Sequence, residues 1–319
     1  MEYNLDFEKP IFDLENQIKE LEDAKNKNGL DISKEISALQ AKVDDLLRDI
    51  YKNLKPWQRV QISRHPKRPH TIDYIEELVS DFHEIHGDRR FGDDPSMITG
   101  FGYIDGKKIA AIGIEKGRKT QDKIKRNFGM ARPEGYRKAL RLMQLASRFN
   151  IPVVTFVDTP GAYPGIGAEE RGQAQAIAEN LEEMFSIKVP IITFVIGEGG
   201  SGGALGIAIA DKVYMLENAV YSVISPESCA SILWADPKQA EFAANSLQLD
   251  ANKAISLEII DEIIPEPIGG AHRDYEKVMT SVKSQIVKSI NDLSKLSEEQ
   301  LIEKRYQKFR QMGNQTINK

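Results

Sequence analysis

What this sequence has least of narrows its function first. A single cysteine, Cys229, stands among 319 residues. That excludes a disulfide framework within the chain and a cysteine-built zinc site, and it fits a reducing cytoplasm. No apolar run approaches the roughly 18 residues that a membrane span requires, and the segment Met1 to Lys9 lacks the apolar core of a secretion signal. An excess of positive charge is also missing. The net charge of −5 gives no reason to expect nucleic acid or an anionic membrane as the main partner. With 41% hydrophobic and 29% charged residues, the composition is that of an ordinary soluble globular chain. The expectation is a soluble cytoplasmic protein.

What the sequence does have is a glycine-rich stretch that follows an apolar one. Ile191 to Ile196, introduced by Pro190, is rich in β-branched residues and reads as a strand buried on both faces. Gly197, Gly199, Gly200, Gly202 and Gly203 follow at once, and Ala204, Leu205, Ile207 and Ala208 suit a buried helix. A strand that gives way to bare backbone and then to a helix start gathers unpaired N–H donors where a ligand oxygen can reach them. The stretch therefore reads as a backbone anion or oxyanion site, which asks only for donors at a helix start. A phosphate-binding P-loop is set aside, because no Lys-Ser/Thr pair follows Gly202 or Gly203. Two other readings stay open. Gly197-x-Gly199-x-x-Gly202 matches the dinucleotide fingerprint, with Glu217 about twenty residues on as the ribose-binding acid, although only about two helical turns fit before the next strand. Alternatively, the glycines merely let strand and helix pack closely.

The rest of the chain supplies a frame. Ile11, Leu14, Ile18 and Leu21, then Ile36, Leu39, Val43, Leu46, Ile50 and Leu54, recur at helical spacing. They predict an antiparallel helical hairpin over residues 1–55, with Gly29 as a stop and Asp31 or Ser33 as N-cap, serving assembly beside a main domain at 56–319. Lys55 to His70 is basic and interrupted by prolines; it reads as a solvated linker rather than a contact for a phosphate or acidic partner. A helix is expected from Asp73 to about His86. His83 and His86 lie on it with Asp88 nearby, but no third ligand is placed, so no metal is expected. Asp105-Gly106 marks a hairpin between Met97 to Tyr103 and Lys108 to Ile114. The basic run 115–132 holds Lys116, Arg118, Lys119, Lys123, Lys125 and Arg126. It reads equally as a cradle for an anionic cofactor, such as the phosphates of coenzyme A, and as a solvated loop.

Pro133 opens a helix whose buried stripe is Ala139, Leu142, Met143, Ala146 and Phe149. The strand Val153 to Val157 then leads into a second Gly/Pro-rich loop, Asp158 to Gly165, and a further helix. Strand, loop and helix thus occur twice in succession, which places both glycine loops at one edge of a parallel sheet, facing a shared cleft. Helices are expected from Pro226, Pro237, Ala251, Asp274 and Ser297, with a last strand near Ile263.

Nothing near these loops resembles a hydrolytic triad. His65, His70, His83, His86 and His272 are all remote from them in sequence, Glu169, Glu170 and Glu198 carry no mark of a tuned base, and Cys229 reads as core. Such a site suits chemistry in which the substrates bring their own base.

Phe156-Val-Asp-Thr-Pro-Gly-Ala-Tyr-Pro-Gly, together with Gly197-Glu-Gly-Gly-Ser-Gly-Gly-Ala-Leu, closely resembles the α-subunit family of bacterial acetyl-CoA carboxylase carboxyltransferases. Asn127 to Met130, Pro133 to Met143, Tyr221 to Glu227 and Ile263 to Arg273 extend the resemblance over nearly the whole chain. It implies an α/β fold, a crotonase-like (ClpP/crotonase) superhelix of ββα units with an N-terminal helical hairpin. It also implies transfer of a carboxyl group from carboxybiotin to acetyl-CoA, giving malonyl-CoA for fatty-acid synthesis. The implied cofactor is biotin on a separate biotin carboxyl carrier protein, with acetyl-CoA and malonyl-CoA as substrates and no metal in this chain. The implied partners are a zinc-containing β subunit in an α2β2 assembly and, in the larger complex, biotin carboxylase. By the resemblance, the main-chain N–H groups of Gly199, Gly200, Gly202 and Gly203 would hold the biotin carbonyl oxygen, and Gly161, Ala162, Tyr163 and Ala204 would line the cofactor. A different acyl-CoA, a dinucleotide-dependent oxidoreductase and a non-catalytic scaffold subunit are the competing expectations.

Overall fold

Val- and Ile-rich runs build the centre of the structure, a computed structural model that describes residues 5–28 and 32–313. In chain order, α1 (Lys9–Asn28) and α2 (Ser33–Lys52) pair with each other and close over Ile11, Ile18, Val43 and Leu47. Ile32 rather than Ser33 stands at the N-cap of α2, and Gly29 and Asp31 lie outside the described residues. Then come α3 (Pro56–Ser63), α4 (Thr71–Leu78), β1 (Ser80–Glu84), β2 (Met97–Ile104), β3 (Lys107–Ile114), α5 (Thr120–Lys125), α6 (Pro133–Arg148) and β4 (Val153–Thr159). The middle holds α7 (Ile166–Glu170), α8 (Gln173–Ser186), β5 (Ile191–Gly200), α9 (Ser201–Leu205), β6 (Lys212–Leu216) and β7 (Val220–Ser222). The chain continues through α10 (Pro226–Trp234), α11 (Ala240–Leu247), α12 (Ala251–Ser256), β8 (Glu262–Ile264), α13 (Tyr275–Leu293) and α14 (Glu298–Gln311).

The strands form one sheet in the order β1-β2-β3-β4-β5-β6-β8. The first three are antiparallel, joined between β2 and β3 by the Asp105-Gly106 turn, and β3 onward is parallel. β5 is long enough to serve twice. Its first half pairs with β6, while Glu198 to Gly200 pair with β7, opposite Val220 to Ser222. Every residue of β4 and all of Ile191 to Ile196 are buried, as a doubly covered parallel strand requires.

Two expectations fail here for physical reasons. The helix from Asp73 stops at Leu78, and Ser80 to Glu84 form an edge strand, so His83 and His86 share no helix face. The cause lies on the neighbouring strand: a Cβ on Gly100 would meet the Phe82 ring at 2.4 Å, and one on Gly102 would meet Val79 at 2.4 Å. These two glycines let the segment lie close against β2. Phe149, expected in the stripe of α6, is the C-cap residue and 69% exposed, because the stripe ends with the helix at Arg148.

The chain between α8 and β5 and the turn before β6 are fastened by one buried cation. Arg305 of α14 is 1% exposed. Its Nη1 donates to the carbonyls of Met184 (2.6 Å) and Ile187 (2.8 Å), its Nη2 to that of Val189 (3.0 Å), and its Nε and Nη2 reach the Asp211 carboxylate at 3.0 and 2.8 Å. Asp211 in turn accepts the Ile191 N–H at 2.7 Å. Removing one partner of a buried pair strands the other. Arg305→Met is expected to cost about 3–5 kcal/mol in chemical denaturation, whereas the exposed neighbour Lys304→Met stays within about 0.5 kcal/mol.

Candidate functional site

β4 and β5 run parallel from Val153↔Ile191 to Thr159↔Gly199, with a register shift after Val157, so both glycine segments emerge at the same sheet edge. The first wall is tied down by its own polar groups. Thr159 Oγ1 lies 2.7 Å from the Gly129 carbonyl and accepts the Gly161 N–H at 3.0 Å. The Tyr163 N–H donates to Ala131 (3.0 Å), and Gln173 Nε2 donates to the Ala131 and Tyr163 carbonyls at 2.8 and 3.0 Å. The Arg132 guanidinium sits over the Tyr163 ring, 5.2 Å from its centroid.

The second wall is not the open loop expected from its composition. Gly197, Gly199 and Gly200 belong to β5, with Gly199 between Thr159 on one side and Tyr221 on the other, and α9 starts only at Ser201. The glycines are explained by what lies opposite. A Cβ would stand 2.4 Å from Asp158 Oδ1 at Gly197, 2.3 Å from the Pro160 carbonyl oxygen at Gly200, and 2.5 Å from both Ala162 N and Gly161 C at Gly203. Real Cβ atoms do not approach so closely, so the two walls touch backbone to backbone. At Gly202 the nearest side chain is Ile177, 3.8 Å away, and Gly161 has open space on its Cβ side.

The first turn of any helix leaves its amides without intrahelical acceptors, which here means those of Ser201, Gly202 and Gly203. The Ala162 N–H, opposite Gly203, likewise makes no hydrogen bond among the described residues. Beside Gly202 opens a largely apolar cleft of about 310 Å3, lined by residues that include Leu205, Tyr221, Val223 and Ile259. Of the residues expected around a ligand, Gly203 meets Gly161 and Ala162, Gly200 meets Pro160, and Gly202 borders the cleft. The Ala204 side chain is instead fully buried in the core. The helix after the strand has only five residues, and no turn separates Gly197 from Gly199, so the strand–turn–helix geometry of a dinucleotide fingerprint is absent. Glu217 is occupied in accepting the Glu266 N–H at 3.1 Å.

Sequence reasoning missed the charged layer behind the second wall. Asp158 (2% exposed) is the penultimate residue of β4 and Glu198 (8% exposed) lies near the end of β5. Lys116 Nζ stands between them, 2.7 Å from Asp158 Oδ1 and 2.6 Å from Glu198 Oε2. Arg64 Nε binds Glu198 Oε1 at 2.6 Å, and its Nη1 binds Glu227 Oε1 at 2.5 Å. Burial alone would push the Glu198 carboxyl up, but Lys116 and Arg64 more than offset it and hold it at about 2. Burial would likewise lower the Lys116 ammonium; Asp158 and Glu198 raise it instead.

The basic stretch around Arg64 is therefore no solvated linker. Arg59 is held by the Glu217 carbonyl (3.1 Å) and Asn218 (2.8 Å), and Arg68 by Glu266 (3.0 and 2.5 Å) and the Ile196 carbonyl (2.7 Å). Nor is 115–132 one uniform element: Lys116 is largely buried and Lys123 half-buried, while Lys119 and Lys125 are exposed on or beside α5. The only signals for this layer were single charges beside glycines, and each finds its partner far along the chain. Among the described residues, no three His, Cys, Asp or Glu side chains converge as a metal site, and no helix is long and apolar enough to cross a membrane.

A family profile described as acetyl co-enzyme A carboxylase carboxyltransferase-like matches residues 4–313. The acetyl-coenzyme A carboxylase carboxyl transferase subunit alpha of Geobacter metallireducens is 53% identical over 312 residues, covering 98% of each chain. The protein of the same description from Staphylococcus epidermidis is 53% identical over 310 residues, 97% of this chain and 99% of its own. Among solved structures, transcarboxylase 12S with methylmalonyl-coenzyme A and methylmalonic acid bound has a TM-score of 0.58 at 20% identity, over 72% of this chain and 42% of that one. A Pseudomonas malonate decarboxylase hetero-tetramer in complex with coenzyme A has a TM-score of 0.57 at 16% identity, over 72% of this chain and 89% of that one. These likenesses show a crotonase-like fold.

The charged layer makes a pH prediction. The folded pKa of Glu198 lies below its ordinary value of 4.5, so its stabilisation is complete above that pH and is lost as pH falls toward 2. Stability measured by urea denaturation is expected to drop by about 3 kcal/mol from this group across that window, and Glu198→Gln to flatten the drop.

Proposed function

The chain belongs to the acetyl-CoA carboxylase carboxyltransferase α-subunit family, and on that premise we propose that it moves a carboxyl group from carboxybiotin to acetyl-CoA, giving malonyl-CoA. It is a transferase subunit of crotonase-like fold. Its proposed setting is the cytoplasm, in an α2β2 assembly with a zinc-containing β subunit. Carboxybiotin arrives there on a carrier protein charged by biotin carboxylase.

One observation carries the site assignment: main-chain amides without intrahelical acceptors lie where two walls touch, beside an apolar cleft whose lining includes no titratable acid or base but Tyr221 among the described residues. The donors we assign are the N–H groups of Gly202 and Gly203, with that of Ala162 opposite. Gly199 and Gly200 act as the ladder residues that bring α9 against Gly161. The residues present fit a fused apolar ring system with one polar urea edge: the cleft beside Gly202 takes the rings, and the amides take the carbonyl oxygen. When bound, carboxybiotin supplies the carboxyl group. This chain steadies negative charge on oxygen, and each main-chain donor contributes about 3 kcal/mol to lowering the barrier. Glu198, ionised and doubly paired, is a poor base, which suits a reaction whose substrates carry their own. Choice among acyl-CoA thioesters is assigned to the β subunit.

The test is to combine this chain with its β subunit and follow malonyl-CoA decarboxylation with free biotin as acceptor. Gly203→Val would force Ala162 away and so tests packing as much as chemistry. Gly202→Val has room beside Ile177, and it is expected to leave folding and assembly intact while lowering turnover at least 100-fold. Normal turnover by that variant would remove the oxyanion assignment.

A further inference from the structure

The charged layer behind the second wall is an expensive way to fill space. Two carboxylates, Asp158 and Glu198, are buried on adjacent strands, and a cation placed between them only offsets their desolvation; apolar side chains of similar volume give equal or greater stability at such positions. The chain also gives up side chains to make room for it. Gly197 carries no Cβ because the Asp158 carboxylate occupies that volume, 2.4 Å from where a Cβ would stand. The layer is joined to main chain as well as to charge, since Asp158 Oδ1 accepts the Glu198 N–H at 2.9 Å.

Its position shows what it holds. Asp158 is followed directly by Thr159, whose hydroxyl sets Gly161, and then by Pro160, Gly161 and Ala162, the first wall. Glu198 is followed by Gly199 and Gly200, which deliver Gly202 and Gly203, the second wall. One ammonium, on Lys116 just beyond the end of β3, therefore bonds to the root of each wall at 2.7 and 2.6 Å. Arg64 braces the Glu198 carboxylate from the far side and continues to Glu227 in the first turn of α10.

We propose that Lys116 is a positioning residue for carboxyl transfer: its ammonium clamps Asp158 to Glu198 and so fixes the spacing between the Ala162 amide on one wall and the Gly202 and Gly203 amides on the other. The inference rests on the oxyanion reading above. It adds that the geometry of the hole is set by a charge which touches neither substrate. Without the ammonium, no cation bonds the Asp158 side chain to that of Glu198, and the walls part. A small displacement of donors costs transition-state stabilisation before it costs substrate binding.

The experiment uses the assembled enzyme with its β subunit and follows malonyl-CoA decarboxylation with biotin as acceptor. Lys116→Met alone strands the Asp158 carboxylate, whose salt bridge is with Lys116, so it is paired with Asp158→Asn, which removes that charge and leaves Glu198 paired with Arg64. The double variant is expected to recover a melting temperature close to wild type. Its kcat is expected to stay at least 100-fold down, with KM for malonyl-CoA and biotin changed less than 3-fold. A role in stability alone would let kcat return with the melting temperature, and a kcat near wild type in the folded double variant overturns the clamp. Should the double variant not fold, Asp158→Asn alone carries the test. It keeps the acceptor for the Glu198 N–H and removes one charge from the clamp, and we expect a loss in kcat of at least 10-fold; unchanged kcat overturns the proposal. If the wild-type pair itself shows no biotin-dependent decarboxylation, the functional reading fails, and the clamp with it. Active wild type with an active, folded variant removes the clamp only.

Discussion

Bare backbone against bare backbone is the constraint on which this molecule depends. Gly200 lies on Pro160 and Gly203 on Gly161 and Ala162, at distances that leave no volume for a methyl group. Everything nearby serves that approach. Parallel pairing of β4 with β5 aims both segments at the same edge, and β7 takes over as the partner of β5 where β6 leaves off. Thr159 and Gln173 stiffen the first segment with hydrogen bonds to its own main chain. What results is a place where polar hydrogens are available to a ligand without a side chain having to move.

Around this junction the protein handles charge in an unusual way for a core. Arg68 with Glu266 and Arg305 with Asp211 are nearly fully enclosed, and Lys116 lies between Asp158 and Glu198. Each cation binds main-chain carbonyls, or carboxylates that themselves accept main-chain N–H groups. These pairs work as staples between segments remote in sequence: the ends of β3, β4 and β5, the turn before β6, the segment between α3 and α4, and helix α14. Their net energetic gain over apolar packing is small or negative. Their value lies in fixing one register of loops that carry little side-chain volume of their own.

How far the sequence alone reached follows from this division. The apolar run before Gly197, the Asp105-Gly106 turn, Pro133 at a helix start and the helix starts near Pro226, Asp274 and Ser297 all act locally, and all were legible. So was the meeting of two glycine segments at one edge, because two successive strand–loop–helix units dictate it. Within the glycine run, the boundary between strand and helix was not legible, since glycine fits either. The staples were invisible for another reason. Arg64 meets Glu198 across 134 residues and Lys116 meets it across 82, and a lone cation in a polar stretch reads as solvated until its partner is known. The edge strand β1 was missed because the glycines that admit it sit on the neighbouring strand, not in the segment itself.

Gly197, Gly200, Gly203 and Gly206 recur every third residue, and each abuts a different piece of the opposing structure: Asp158, Pro160, Ala162 and Tyr136. A zipper of this kind leaves little room for gradual drift. Enlarging any one tooth demands a simultaneous retreat on the other side, so lineages descending from such a protein must either hold both strips still or exchange them together.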